Sequence, residues 1–166
     1  SIVLIFMGVA GCGKTTVAKL FAEKTGATFY EGDDFHPPEN IAKMSAGIPL
    51  TDADRADWLN ALWKIISQSL AANTLTALTC SALKAKYREL LQGGDARVQF
   101  VHLTGSREVI EARMAKRTGH FMPPALLESQ IATLEPPTDA WTFSVEKAPT
   151  EIVAELIQVL GSMRIV

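Results

Sequence analysis

Short apolar runs alternate along the chain with longer stretches of helical period. Residues 2–7 are apolar at every position, the pattern of a central parallel strand covered on both faces. Residues 14–24 then place Val17, Ala18, Phe21 and Ala22 on one helical stripe, and residues 28–31 predict a short second strand. Thr51 can cap a helix in which Trp58, Leu62, Ile65, Ile66 and Leu70 recur at helical spacing. Strands are expected over 74–80, 98–103 and 141–145. Short helices are expected over 84–91, ended by Gly93-Gly94, and over 107–116. Pro149 opens a final helix with Ile152, Val153, Leu156 and Leu160 inward and Gly161 as its stop.

Two stretches break the pattern. Residues 32–50, with Pro37, Pro38, Gly47 and Pro49, read as a long polar loop or small subdomain, and structureless loops of that length are usually functional. Residues 117–137 carry Gly119, Pro123, Pro124, Pro136 and Pro137 around a helical segment, 125–134, which suits a mobile lid better than core. The strand–helix alternation predicts an α/β fold with three layers, a five-stranded parallel sheet carrying helices on both faces. With 166 residues the whole chain, 1–166, fits one domain, since domains run to about 100–200 residues.

Composition narrows the partners. Apolar residues at 48% and charged residues at 20% match a globular chain and exclude disorder, collagen-like sequence and a coiled coil. Sixteen basic against eighteen acidic side chains leave a net charge of −2, so no general attraction to nucleic acid or anionic membrane is expected. An anionic ligand must be met by local charge. The longest apolar run stops at Lys14, short of the roughly 20 residues of a membrane helix. Cys12 and Cys80 have no metal-ligand spacing, and the fold begins without a basic leader or cleavage site, so a cytoplasmic protein with neither zinc nor disulfide is expected.

Gly8-Val-Ala-Gly-Cys-Gly-Lys-Thr15 matches G-x-x-x-x-G-K-[ST] directly after an apolar strand and directly before a helix. In such a P-loop, successive backbone N–H groups curl around phosphate oxygens and the helix N-terminus adds partial positive charge. The nucleotide-binding candidates are thus Gly8, Gly11, Cys12, Gly13, Lys14, Thr15 and Thr16, with Lys14 on the β- and γ-phosphates and the Thr15 hydroxyl on Mg²⁺. ATP and Mg²⁺ are the expected cofactors. Cys12 binds through its main chain, so no catalytic thiol is expected there.

No N-K-x-D motif for guanine occurs, and strand three ends in Thr79-Cys80 rather than in the Asp of a Walker B motif. A carboxylate must come from elsewhere. Glu31-Gly-Asp-Asp34 ends strand two, beside the crevice where open parallel sheets bind ligands. If the strand continues, Asp33 and Asp34 point to opposite sides. Asp33 is the better candidate for outer metal partner and general base, with Asp34 capping the loop.

Further motifs follow: Glu31-Gly-Asp-Asp-Phe-His-Pro37, Asn40-Ile-Ala-Lys-Met44, Gly47-Ile-Pro-Leu50, Asp52-Ala-Asp-Arg55, Trp58-Leu59, Cys80-Ser-Ala-Leu-Lys84 and Tyr87-Arg88. Gly119-His-Phe-Met-Pro123, Leu126-Leu127, Ser129-Gln130 and Thr133-Leu-Glu-Pro-Pro137 complete the set. With the P-loop, this succession resembles the small P-loop gluconate kinases, relatives of shikimate kinase and the nucleoside monophosphate kinases. The resemblance runs from about Val3 to Pro137. It implies ATP-dependent phosphorylation of D-gluconate to 6-phosphogluconate by a cytoplasmic homodimer with a closing lid. Departures are Cys12 where the family prefers Ser, Glu31 where it prefers Asp, Asp57 where Pro is common, and a thin acidic cluster after Pro137.

A polyhydroxy acid needs a cation or two and a set of hydrogen-bonding groups. Asp33, His36, Arg55, Lys84 and Arg88 flank the crevice from different segments and are the substrate-binding candidates, joined by His120 of the lid. Arg55 in a first helical turn opposes the helix dipole, which favours a ligand role. His102, inside a strand pattern, reads as structural. Arg113 and Arg117 lie four residues apart and can both face the phosphates; the resemblance favours Arg117 as the catalytic cation, beside Lys14 and Asp33. Two rivals stay open: a kinase of another small acceptor, such as a different aldonate, a shikimate-like acid or a nucleoside monophosphate, and a nucleotide-binding module without catalysis.

Overall fold

Period-two alternation along the first strand feeds two separate cores. In the computed structural model, which describes residues 2–116 and 125–164, β1 (Val3–Met7) is wholly buried. Val3, Ile5 and Met7 point to one side, where they meet Trp58, Leu62 and Ile66 of α3 (Asp52–Ala72) and Tyr87 and Leu91 of α4 (Ala85–Gln92). Leu4 and Phe6 point to the other, against Val17 and Phe21 of α1 (Lys14–Thr25) and Ile152, Val153 and Leu156 of α7 (Pro149–Arg164).

The sheet has five strands in the order β2-β3-β1-β4-β5, with β2 (Thr28–Glu31), β3 (Thr76–Thr79), β4 (Val98–Thr104) and β5 (Trp141–Ser144) completing it. Every pairing is parallel. The expected α/β architecture with helices on both faces is therefore present. A third cluster joins Val9 and Ala10 of the P-loop to Met44 of α2 (Pro38–Ser45), Ile110 and Met114 of α5 (Arg107–Lys116), and Leu127 of α6 (Ala125–Thr133). It lies at the P-loop end of β1.

Three elements differ from the sequence-based expectation. Residues 32–50 are not a structureless loop: a 3₁₀ turn (Gly32–Phe35) leads into α2, whose first turn tolerates Pro38 because an N–H there has no intrahelical partner. The Ile48 N–H closes that helix by donating to Lys43 O at 2.8 Å. Within 117–137, α6 is packed rather than free-standing, since Leu127 is buried against the P-loop cluster. Gly161 does not stop α7, which runs on to Arg164; burial of Leu160 outweighs the weak helix propensity of one glycine. Thr51 does cap α3, in a reciprocal capping box with Asp54.

Residues 117–124, with Arg117 and His120, lie outside the described residues. Among the described residues no helix is long and apolar enough to cross a membrane.

Candidate active site

The P-loop is shaped by what its glycines lack. Gly8 sits at φ +145°, and a Cβ there would lie 2.6 Å from Leu103 O. Gly13 caps α1 in the left-handed region with no side-chain bond to the helix. The first amides of α1 are thus presented as anion-binding donors. The Lys14 ammonium donates to Gly8 O at 3.0 Å and Val9 O at 3.1 Å, folded over the same loop. Cys12 is 1% exposed, its thiol packed into the core between sheet and α1.

An open cleft runs from the P-loop past the carboxyl end of β2 to the start of α3. At the end of β2, parallel register sets Glu31 opposite Thr79. Thr15 Oγ1 donates to Glu31 Oε2 at 2.5 Å and Thr79 Oγ1 donates to Glu31 Oε1 at 2.7 Å, so one carboxylate joins the P-loop threonine to the sheet. Gly32 is held from both sides, its N–H donating to Thr79 Oγ1 (2.9 Å) and its carbonyl accepting from Trp58 Nε1 (2.8 Å). A Cβ on Gly32 would fall 1.8 Å from Thr79 O. The strand ends here, so strict alternation does not govern the next two residues. The 3₁₀ turn places Asp33 in the cleft and leaves Asp34 exposed.

His36 lies at the cleft wall, 8% exposed, with its ring stacked on Trp58 at a centroid distance of 4.0 Å and an interplanar angle of 15°. Asn40 Nδ2 donates to Asp54 O at 2.8 Å, which fixes the amide orientation, and the same nitrogen donates to His36 Nδ1 at 3.2 Å. The ring proton therefore sits on Nε2, 3.8 Å from Asp33 Oδ1. Burial, helped by the nearby Arg55 charge, pushes the His36 pKa down to about 4, so the imidazole is neutral at pH 7. Arg55 lines the same cleft and donates through Nη1 to Tyr87 Oη at 3.0 Å.

Lys84 and Arg88 are not brought into the cleft. Lys84 donates to Asp52 Oδ1 at 3.1 Å. Arg88 is buried, donating to Ala82 O and Glu135 O, both at 2.7 Å. It braces the β3–α4 turn, where Ala82 is held at φ +47°, against the chain leaving α6. That turn carries Ser81 into the cleft. His102 is buried on β4, away from the cleft, its pKa lowered first by burial and then by the Arg88 charge.

Three groups lining or bracing the site had no assigned role in the sequence: Glu31, Thr79 and Gln130. Gln130 Oε1 accepts the P-loop Ala10 N–H at 2.6 Å, tying α6 to the phosphate loop. Its signal was the Ser129-Gln130 motif; that of Glu31 and Thr79 was the register of two parallel strands. On the other side of the P-loop a second hollow is lined by Thr16, Arg113, Lys147 and Pro149. Arg113 donates there to Val145 O.

A phosphate-binding loop facing a carboxylate and a cation across one cleft, at the carboxyl end of a parallel sheet, defines a P-loop phosphotransferase. The AAA domain family profile matches residues 3–137. Gluconokinase of Gluconobacter oxydans is 49% identical over 158 residues, covering 93% of this chain and 89% of the relative. A gluconokinase from Sinorhizobium meliloti superposes with a TM-score of 0.85 at 44% identity, over 96% of this chain and 91% of that one. An unliganded sugar kinase from a Janibacter species reaches 0.89 at 45% identity, over 97% and 95%. The chain belongs to the gluconokinase family.

Proposed function

We propose that the protein transfers the γ-phosphoryl group of ATP to the 6-hydroxyl of D-gluconate, giving 6-phosphogluconate and ADP. The observation that carries this is the shared cleft: Lys14 and Thr15 line one end, Arg55 and His36 the other, with Asp33 between them in the chain's turn out of β2. In the step itself the 6-hydroxyl gives its proton to Asp33 and its oxygen bonds to the γ-phosphorus. The bond from that phosphorus to the β–γ bridging oxygen breaks, and ADP leaves. General-base help of this kind contributes about 10²–10⁴ in rate. The P-loop amides of Gly11, Gly13, Lys14 and Thr15 hold the phosphates, and the Lys14 ammonium neutralises charge on the transferred group. Those of Gly8 and Cys12 donate to Ser81 O and Val9 O and shape the loop.

The site's donors suit Mg²⁺, a hard cation bound through a few protein oxygens plus substrate phosphates. Thr15 Oγ1 would hold it directly, since the hydroxyl proton is turned to Glu31. Glu31 and Asp33 would face its outer shell. When bound there, the ion would supply positive charge that offsets the phosphates. At the acceptor end Arg55 meets the carboxylate, and the neutral His36 donates from Nε2 to a hydroxyl. Lys84 and Arg88 act behind the site, as braces. The second hollow, with Thr16 and Arg113, takes the nucleoside end of ATP. Arg117 and His120 retain their lid roles by resemblance.

The working unit in this proposal is one domain over 1–166, with 32–50 holding the acceptor and 117–137 as its lid, of which α6 is already seated on the P-loop. It assembles as a cytoplasmic homodimer, for which light scattering in solution is the test. A coupled ADP-release assay across sugar acids, shikimate and nucleoside monophosphates tests the reaction. Turnover with gluconate is expected; turnover only with a monophosphate would reject the acceptor, and ATP binding without any acceptor-dependent turnover would reject catalysis.

A further inference from the structure

Arg55 is a long, flexible side chain at the rim of an open cleft, yet one neighbour, Tyr87, meets it with both its hydroxyl and its ring. Its Nη1 donates to Tyr87 Oη at 3.0 Å, and its guanidinium carbon lies 5.4 Å from the centre of the Tyr87 ring. Tyr87 is 4% exposed and packed into the core with Trp58, Leu62 and Leu91, so its ring is a fixed platform. A phenol that accepts from Arg55 must send its own proton elsewhere, and it donates to Asp52 Oδ1. Asp52 in turn binds Lys84 at 3.1 Å and Lys86. These bonds hold the Asp52 carboxyl well below the usual carboxylate range, so it stays charged.

We propose that Tyr87, backed by Asp52, is a positioning residue that aims the Arg55 guanidinium at the acceptor's carboxylate and thereby sets the preference for an acid over an uncharged polyol. The proposal rests on the acceptor reading above. Only one of the five guanidinium N–H donors is taken by the phenol. A tethered fork loses less freedom on binding than a free one, and its orientation selects a planar, two-oxygen anion. Lys84, at the other side of Asp52, thus supports recognition from behind the cleft without touching the ligand.

The test is steady-state kinetics on Tyr87→Phe, Asp52→Ala, Arg55→Lys and the Tyr87→Phe/Arg55→Lys pair, with gluconate and with gluconamide, its uncharged analogue. Tyr87→Phe is expected to raise the gluconate KM about 10-fold, with kcat and the ATP KM changed less than about 2-fold and gluconamide unaffected. Asp52→Ala, at an exposed site, should act in the same direction by a smaller factor. The double variant should be no worse than Arg55→Lys alone, as expected for groups that act as one unit. A gluconate KM raised by Arg55→Lys but unmoved by Tyr87→Phe and Asp52→Ala overturns the positioning role and leaves the acceptor site standing. If Arg55→Lys also leaves it unmoved, Arg55 is removed from the acceptor site and the proposal falls with it. Should Tyr87→Phe fail to fold, Asp52→Ala alone decides.

Discussion

The two ends of the cleft are built on opposite principles. The phosphate end is largely main chain: residues 8–15 run from the end of one strand into the first turn of one helix, with Gly8 and Gly11 where a Cβ would collide. The end proposed for the acceptor is side chain: Asp33, His36 and Arg55 arrive from a 3₁₀ turn, the α2 approach and α3. His36 is held by Asn40 and Trp58, Arg55 by Tyr87 of α4, and Gly32 beside Asp33 by Trp58. Backbone sites tolerate changes of side chain, whereas side-chain sites depend on every brace. Gluconokinase chemistry therefore uses a general phosphate cradle beside an acceptor pocket that is specific to its residues.

That contrast can be broken most severely at Asp33. Asp33→Asn is expected to lower kcat by about 10²–10⁴ with little change in ATP affinity, read by turnover against nucleotide titration. Equal small effects on both would place Asp33 outside the chemistry. Next comes Gly32→Ala, whose Cβ would meet the Thr79 carbonyl at 1.8 Å. Overpacking against backbone should cost about 3 kcal/mol in denaturant unfolding, and activity should fall with it. Wild-type stability in that variant would mean that the turn is not pinned there.

His36 gives a smaller effect with a definite sign. Its pKa of about 4 when folded lies below the 6.5 of an unfolded histidine. The unfolded chain therefore takes up more protons between those values, and stability rises with pH across them. The His36 contribution is complete above about pH 6.5 and is lost as pH falls towards 4, on the order of 2–3 kcal/mol. His36→Gln should flatten that part of the stability profile; an unchanged slope would assign it to other groups. The smallest effect is expected at the phosphate end. Cys12→Ser keeps the main chain that binds phosphate, so kcat/KM should stay within about 3-fold of wild type. A large loss would show that the Cys12 side chain itself takes part at this end.

Legibility in the sequence follows the same division. The P-loop, the five strands and the Thr51 cap were readable because each depends on neighbours a few residues away. The sheet order was not, since it comes from crossovers. Glu31, though part of a recognised motif, had no assigned role because its two threonine partners, Thr15 and Thr79, lie 16 and 48 residues away and meet only through strand register. Lys84 and Arg88 were expected at the acceptor because helical spacing sets them on one face; it does not say that Asp52 and Glu135 would hold them behind the cleft. The α2 helix was hidden by its prolines, although Pro38 sits where a helix accepts one.

A crystal structure with gluconate and a non-hydrolysable ATP analogue tests the central claim most directly. The account predicts the gluconate 6-hydroxyl within about 3 Å of an Asp33 carboxylate oxygen and in line with the γ-phosphate, with the acid group on Arg55. Gluconate bound elsewhere, or Asp33 turned away from both ligands, would contradict it.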